Sequence, residues 1–333
     1  MKRLILTTSD SGAGCLRHPG IADAVIPFGQ RFFLRERLPP EVDITNLLTA
    51  SSSQHGQTDD DWLLDIYRKY LRDIDSSTRL TDLCEAFDVI DLWIDPDPNA
   101  QLILIWLLDH FRPHDIIVPK MNLVQADVLI GNLSPEDIAV SPIPAIKILN
   151  RHLETARSAW KAYREPTPRA WFDLLSTDSS ALPRLRPALM MLLEELPMPG
   201  TGLGATEMRM LELISEGNVS PFDVFPGHEK RNERRVFDYW AIGALLDGLA
   251  CGPAPLVSGL NEGPFTLEMH EDRDRHQRYK RSRLSLTALG EAVLAGREDF
   301  SRHNPIHRWW ARTELTSDRL WRWDPANHAL IEP

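Results

Sequence analysis

Cysteine is scarce: Cys15, Cys84 and Cys251 are the only three in 333 residues, far apart and with no Cys-x-x-Cys pair. An odd, scattered set argues against a disulfide framework and a cysteine-rich zinc site, and fits a reducing, cytoplasmic setting. Long apolar runs are missing too. The longest, Leu102 to Leu108, is far short of the roughly 20 residues that a membrane span needs, so no membrane partner is expected. The apolar run after Lys2 and Arg3 ends at Thr7, too early for a signal peptide, and reads as a buried first strand. Net positive charge is also absent. The chain carries −11 overall, yet residues 227–333 balance 16 basic against 16 acidic side chains, so the whole acidic excess lies in residues 1–226. The N-terminal part should repel nucleic acid and anionic surfaces, whereas the C-terminal part has room for a local basic patch.

With 43% hydrophobic and 26% charged residues, the composition is that of a globular protein, and the length suits two or three domains. The first part alternates strand and helix signals. Leu4-Ile5-Leu6 leads through Thr7-Thr8-Ser9-Asp10-Ser11-Gly12-Ala13-Gly14 into a short helix. Asp23 to Phe28 reads as a second strand, and a helix is expected from Trp62 to about Ile74 behind Asp59-Asp60-Asp61. Asp88 to Asp95 is a third strand, Asp95-Pro-Asp-Pro-Asn99 turns into a helix over 100–111, and strands are expected at Asp115 to Pro119 and Val128 to Ile130. That order predicts an α/β domain with a mostly parallel sheet over residues 1–142.

Residues 143–199 read as a helical middle section. A long helix is expected from Ile146 to Tyr163, and Met190-Met191 and the aromatics fit core positions. Residues 200–333 begin with an amphipathic helix at 206–215, a short helix from Phe222 to Phe225 and a third helix at 236–250. Pro255 to Ser258 and Arg283 to Leu286 then read as paired strands about a long polar loop, before Thr287-Ala-Leu-Gly290 opens another helix. Three helices, a ribbon and a closing helix make a winged-helix-like arrangement.

Three kinds of chemistry are open. First, the loop Ser9, Asp10, Ser11, Gly12 and Gly14 follows the first strand, where open α/β sheets bind ligands. Amides freed by the glycines, with the serine hydroxyls, suit a small anionic or nucleotide-like ligand. The loop is neither a Walker loop nor a Gly-x-Gly-x-x-Gly fingerprint, so it names no cofactor. The same residues also suit a plain helix cap. Second, Ser11 after Asp10 is a candidate nucleophile of a serine hydrolase, which then needs a histidine base such as His303 or His307 near Asp299. Third, Arg234 and Arg235, with Arg278, Lys280 and Arg281 on the expected wing, suit nucleic-acid contact or a protein partner. The helix at 236–250 is apolar and offers no cation to a groove. His303 and His307 are four apart, as metal ligands can be, but Asn304 and Pro305 interrupt them, and no metal site is expected. Asp95 and Asp97 read as caps before a helix rather than as a catalytic carboxylate pair.

Arg308-Trp309-Trp310 and Leu320-Trp321-Arg322-Trp323-Asp324 gather tryptophan near the C-terminus. With Ser9 to Leu16, the pair Trp93 and Gln101, the run Leu133 to Glu136 and the start Gly202, Leu203 and Glu207, they make the chain resemble a bacterial family. This is the family carrying domain of unknown function 1835 and its C-terminal companion domain. The resemblance covers most of the chain and departs from it in two places. Gln30 to Leu38 stands where the family has an acidic Gly-Pro stretch, and Ala311-Arg312 where it has a Gly-Gly pair. The family is uncharacterised, so the resemblance implies fold and boundaries and no reaction.

Overall fold

A computed structural model describes residues 1–17, 21–28, 32–33, 80–140, 143–225 and 235–333. The helix expected from Trp62 and most of the segments 30–43 and 230–235, Arg234 included, lie outside them. The described chain forms two compact units, the first drawn from residues 1–32, 39–161 and 178–185.

In the first unit β1 (Arg3–Thr7) is followed by α1 (Asp10–Leu16), β2 (Ala24–Pro27), α2 (Leu80–Glu85), β3 (Val89–Ile94) and α3 (Pro98–Phe111). Then come β4 (Met121–Gln125), α4 (Pro135–Val140), β5 (Ala145–Lys147) and α5 (Asn150–Tyr163). The strands form one sheet in the order β2-β1-β3-β4-β5, parallel except for the antiparallel β5. The expected α/β domain with a mostly parallel sheet is therefore present. A parallel sheet is covered on both faces, which is why its inner strands are largely apolar: Leu4, Ile5, Leu6, Ile90, Leu92 and Ile94 are all buried, and the buried charge on β3, Asp91, pairs with Arg3 and accepts from Asn122 Nδ2 at 2.6 Å. On one face Ile5, Val25, Trp93 and Val124 pack with Ala13 and Leu16 of α1 and with Ile130. α3 is apolar almost all round, with every residue from Leu102 to Leu108 buried, because it is a core helix rather than a surface one.

Three expected elements of this unit are corrected. Asp115 to Pro119 is not a strand but a turn that ends in the 3-10 helix Val118–Lys120, and β4 starts just after it. Pro119 has no N–H to give a ladder, so its Ile-Ile-Val neighbours cannot sit in an inner strand. Val128 to Ile130 likewise leads into the 3-10 turn Ile130–Asn132. The helix expected from Ile146 begins at Asn150, with Ile146 on β5 opposite Leu123. The Leu149 amide donates to Nδ1 of His152 at 2.8 Å and starts the helix there.

The second unit, residues 33–38, 162–177 and 186–333, is helical first. It holds α6 (Arg169–Asp173), most of α7 (Leu185–Leu193), α8 (Ala205–Ser215), α9 (Pro221–Val224) and α10 (Tyr239–Ala250). Then follow β6 (Val257–Ser258), α11 (Leu267–Glu271), α12 (Arg273–Lys280), β7 (Ser285–Leu286), α13 (Ala288–Leu294) and α14 (Phe300–His303). The hairpins β8 (His307–Trp310) with β9 (Thr313–Thr316), and β10 (Arg322–Asp324) with β11 (Ala329–Ile331), complete it. β6 and β7 pair as expected, antiparallel. The segment between them is not a polar loop, however, because Thr266 and Asp272 each cap a short helix inside it. The tryptophan-rich tail folds into the two hairpins. Trp310 is buried and donates from Nε1 to the Leu192 carbonyl at 2.7 Å, while the amide of buried Trp323 donates to the Pro197 carbonyl at 3.1 Å. At the β8–β9 turn Ala311 takes φ +51°, a left-handed conformation that costs an L-residue about 1 kcal/mol and that glycine takes freely. The methyl of Ala311 is buried, which offsets part of that cost.

Candidate functional site at the ends of β1 and β3

After β1 the chain adds β2 on one side of it and β3 on the other. Open α/β sheets place ligands beyond the carboxyl ends of the strands at such a reversal. Two segments meet there, Thr7 to Gly12 after β1 and Asp95 to Asp97 after β3.

A buried carboxylate joins them. Asp95 is 1% exposed. Its Oδ2 accepts from Ser9 Oγ at 2.8 Å and from Thr8 Oγ1 at 3.2 Å, and its Oδ1 accepts from the Ile130 amide at 2.7 Å. The Asp95 amide in turn donates to Thr8 Oγ1 at 3.2 Å. One side chain therefore ties the loop after β1, the end of β3 and the turn after β4, with the charge-assisted bonds that make such ties strong. Gln101, buried on α3, donates to the Asp95 carbonyl at 2.8 Å and accepts from Gln125 Nε2 at 3.1 Å, which draws in the end of β4.

The expected site residues separate on this frame. Ser9, rather than Asp10 or Ser11, is the N-cap of α1: its Oγ accepts from the Gly12 amide at 3.2 Å while donating to Asp95. Gly12 and Gly14 do not free amides for an anion. Both lie inside α1, and the Gly12 amide is spent on Ser9. Gly12 is needed for room instead, since a Cβ there would stand 2.8 Å from Ser9 Oγ. Asp10, Ser11 and Gly14 are exposed. The first intrahelical bond runs from the Ala13 amide to the Ser9 carbonyl at 3.0 Å, so the first-turn amides of Asp10 and Ser11 are left over by the helix. Ser11 leans on Gly131, where any side chain would collide with it.

The two aspartates after β3 do different work. Asp97 caps α3, accepting from the Ala100 amide at 3.1 Å, as the sequence led us to expect. Asp95 is no cap. Asp97→Ala is expected to cost about 1 kcal/mol of stability, read as a small fall in the urea midpoint with an unchanged slope.

Other expected chemistry is not assembled. No histidine bonds to Ser11 among the described residues. His303 and His307 do not share a helix face: His303 sits on α14 and pairs with Glu298 at 3.0 Å, and His307 on β8 pairs with Glu314 at 3.1 Å. Among the described residues no group of three or more His, Cys, Asp or Glu is placed to hold a metal ion. Two of the thiols are poor nucleophiles: burial pushes Cys84 up to about 12, and burial with the nearby Asp247 raises Cys251. On α12, Arg278 Nε donates to Glu262 Oε1 at 2.6 Å, and Lys280 Nζ stands 5.6 Å from the centroid of the Phe222 ring. Arg281 and Arg235 are exposed.

Compared with family models and with curated proteins, the chain matches none. Nor is any helix among the described residues long and apolar enough to cross a membrane. The residues that reading the sequence missed are Thr8, the tie made by Asp95, Gln125 and Gly131. An aspartate directly after an apolar strand is a weak signal for the first of these ties; nothing in the sequence pairs it with Thr8 and Ser9.

Proposed function

We propose that the loop Ser9 to Ser11 binds a small anionic or nucleotide-like ligand at the carboxyl ends of β1 and β3. What carries this reading is the pinning of an exposed loop at a strand-order reversal by a buried carboxylate that faces inward. A loop whose only task was to turn the chain would not need three segments drawn to one point. The leftover amides of Asp10 and Ser11 and the Ser11 hydroxyl are the donors offered to the ligand, and Asp10 is the acceptor for its hydroxyls. A thermal-shift and calorimetric screen of nucleotides and phosphorylated metabolites tests this. We expect at least one to raise the melting temperature, and Ser11→Ala to weaken its binding by roughly tenfold. Asp10→Asn, which removes a like charge, should tighten a purely anionic ligand. No shift from any compound overturns the reading. In the same proposal the chain is a distant member of the uncharacterised bacterial family it resembles, which adds no reaction.

A second reading rests on the order α8, α9, α10, β6, α11, α12, β7, α13, a winged-helix-like order with two helices between the ribbon strands, and on the exposed Arg273, Arg278, Lys280, Arg281 and Arg283. It makes the C-terminal part a nucleic-acid or protein contact. Binding to duplex DNA that weakens steeply with salt supports the nucleic-acid form; absence of any shift leaves the protein form. The hydrolase reading of Ser11 predicts labelling by a fluorophosphonate and is given no base by the described residues.

A further inference from the structure

Within the second unit, α11 and α12 form a helical hairpin about Asp272, whose carboxylate caps α12 by accepting from the amides of Asp274 at 3.1 Å and Arg275 at 3.0 Å. The hairpin brings one imidazole from each helix into contact. The ring centroids of His270 and His276 are 4.2 Å apart, with planes 38° from parallel. Aromatic rings surround the pair: Trp240 at 5.5 Å, Tyr239 at 6.1 Å and Phe265 at 6.5 Å from His270, and Phe222 at 6.0 Å from His276. The Nε2 of His276 is buried without a hydrogen-bond partner.

No carboxylate among the described residues pairs with either ring. On the hairpin, Asp272 is spent as a cap, and Glu268, Glu271 and Asp274 are exposed. Glu262, from the segment before the hairpin, binds Arg275 and Arg278. On α10, Asp238 accepts from the Ala241 amide at 2.8 Å and Asp247 from the Phe265 amide at 2.6 Å. On α9, Asp223 accepts from the Ser220 amide at 3.3 Å. Tyr239 and Tyr279 carry neutral hydroxyls, both titrating above the usual tyrosine value because of burial. The charged group nearest in kind is Lys280, one turn beyond His276, and it is positive.

We propose that the His270–His276 pair is a proton-operated latch, which closes the α11–α12 hairpin over the aromatic face of α9 and α10 near neutral pH and releases it on acidification. Neutral imidazoles stack well inside an aromatic shell. A proton on either ring puts a positive charge beside its neighbour and Lys280 with no counter-ion among the described residues, and a second proton is worse. The sign follows from linkage. Burial, then His270 and Lys280, hold His276 below the ordinary imidazole value, so the closed form binds fewer protons than the open one. Its stability is complete above the ordinary imidazole range and is lost as pH falls through it. Release uncovers Phe222, Tyr239, Trp240 and Phe265 together.

Hydrogen exchange on the full chain, at about pH 7.5 and about pH 5 to bracket the imidazole range and with rates divided by their intrinsic values, reads the opening. Protection over residues 266–281 is expected to fall roughly tenfold at the lower pH, while the sheet β1–β5 keeps its protection. His276→Gln and His270→Gln should each remain protected near neutrality and lose most of the acid response. An even loss across the unit, no loss at the lower pH, or an undiminished response in both variants overturns the latch. Should His276→Gln fail to fold, His270→Gln, whose ring is half-buried, carries the test alone.

Discussion

Asp95→Ala is expected to lower the free energy of unfolding by about 4 kcal/mol. The substitution leaves the Ile130 amide and the hydroxyls of Thr8 and Ser9 without the acceptor that draws them together. The Ile130 amide and Thr8 are buried and have no water to fall back on, whereas Ser9 is half-buried and recovers part of its loss. An orphaned buried donor costs about 1–3 kcal/mol, and the cavity of the missing carboxylate adds to that. Asp95→Asn separates the charge from the shape. Its carbonyl oxygen keeps the Ile130 bond, and the two hydroxyls can turn to accept from the new amide, so a loss of only about 1–2 kcal/mol is expected. Urea unfolding followed by circular dichroism checks both. A change below about 1 kcal/mol for alanine would mean that the three segments are held together by packing, and the argument for a purposely pinned loop would go with it. Because the loop is exposed at Asp10 and Ser11, the alanine variant should also lose any ligand before it loses its fold.

Gly290→Ala is expected to destabilise the second unit by about 3 kcal/mol. In an open helix the same change would stabilise by about 1 kcal/mol, since alanine is the better helix former. Gly290 is not open. A Cβ there collides with the carbonyl oxygen of Leu256, and that oxygen is pinned by the Thr287 amide at 2.9 Å. The obstacle is backbone at the start of the two-residue ribbon β6–β7, so relief requires α13 to move off the ribbon as a whole. Thr287 caps α13 through the Gly290 amide at 3.0 Å, which stops the helix from simply sliding. Gly248→Ala on α10, exposed and with nothing within 4 Å of its added carbon, is the control, expected to gain about 0.5–1 kcal/mol. If both substitutions stabilise, the close approach of α13 to Leu256 is not held in solution. The glycine belongs to Leu284-Ser-Leu-Thr-Ala-Leu-Gly290, and its place against Leu256 gives a steric reason for glycine to end that run.

The sequence by itself determined the elements whose signal is local. Largely apolar runs bounded by breakers mark β1, β2, β3 and α3, because a strand or helix buried on all sides is apolar except where a polar side chain has partners, as Asp91 of β3 has in Arg3 and Asn122, and the alternation of these elements implies a parallel sheet. Local signals failed where the deciding partner was elsewhere. Ile116, Ile117 and Val118 are β-branched, yet Pro119 cannot donate to a neighbouring strand, and the ladder begins at Met121. Ile146 opens the segment expected to be helical, yet its pairing with Leu123 makes it a strand residue. The candidate site divides in the same way. Its position after β1 is a matter of chain order, legible because loops at strand ends follow from the fold class. Its construction is not, since Ser9 and Asp95 stand 86 residues apart and no spacing rule connects them. Only the parallel register that sets Thr7 beside Trp93 brings the two strand ends level. A carboxylate two residues past Trp93 then reaches the hydroxyls of Thr8 and Ser9, just past Thr7.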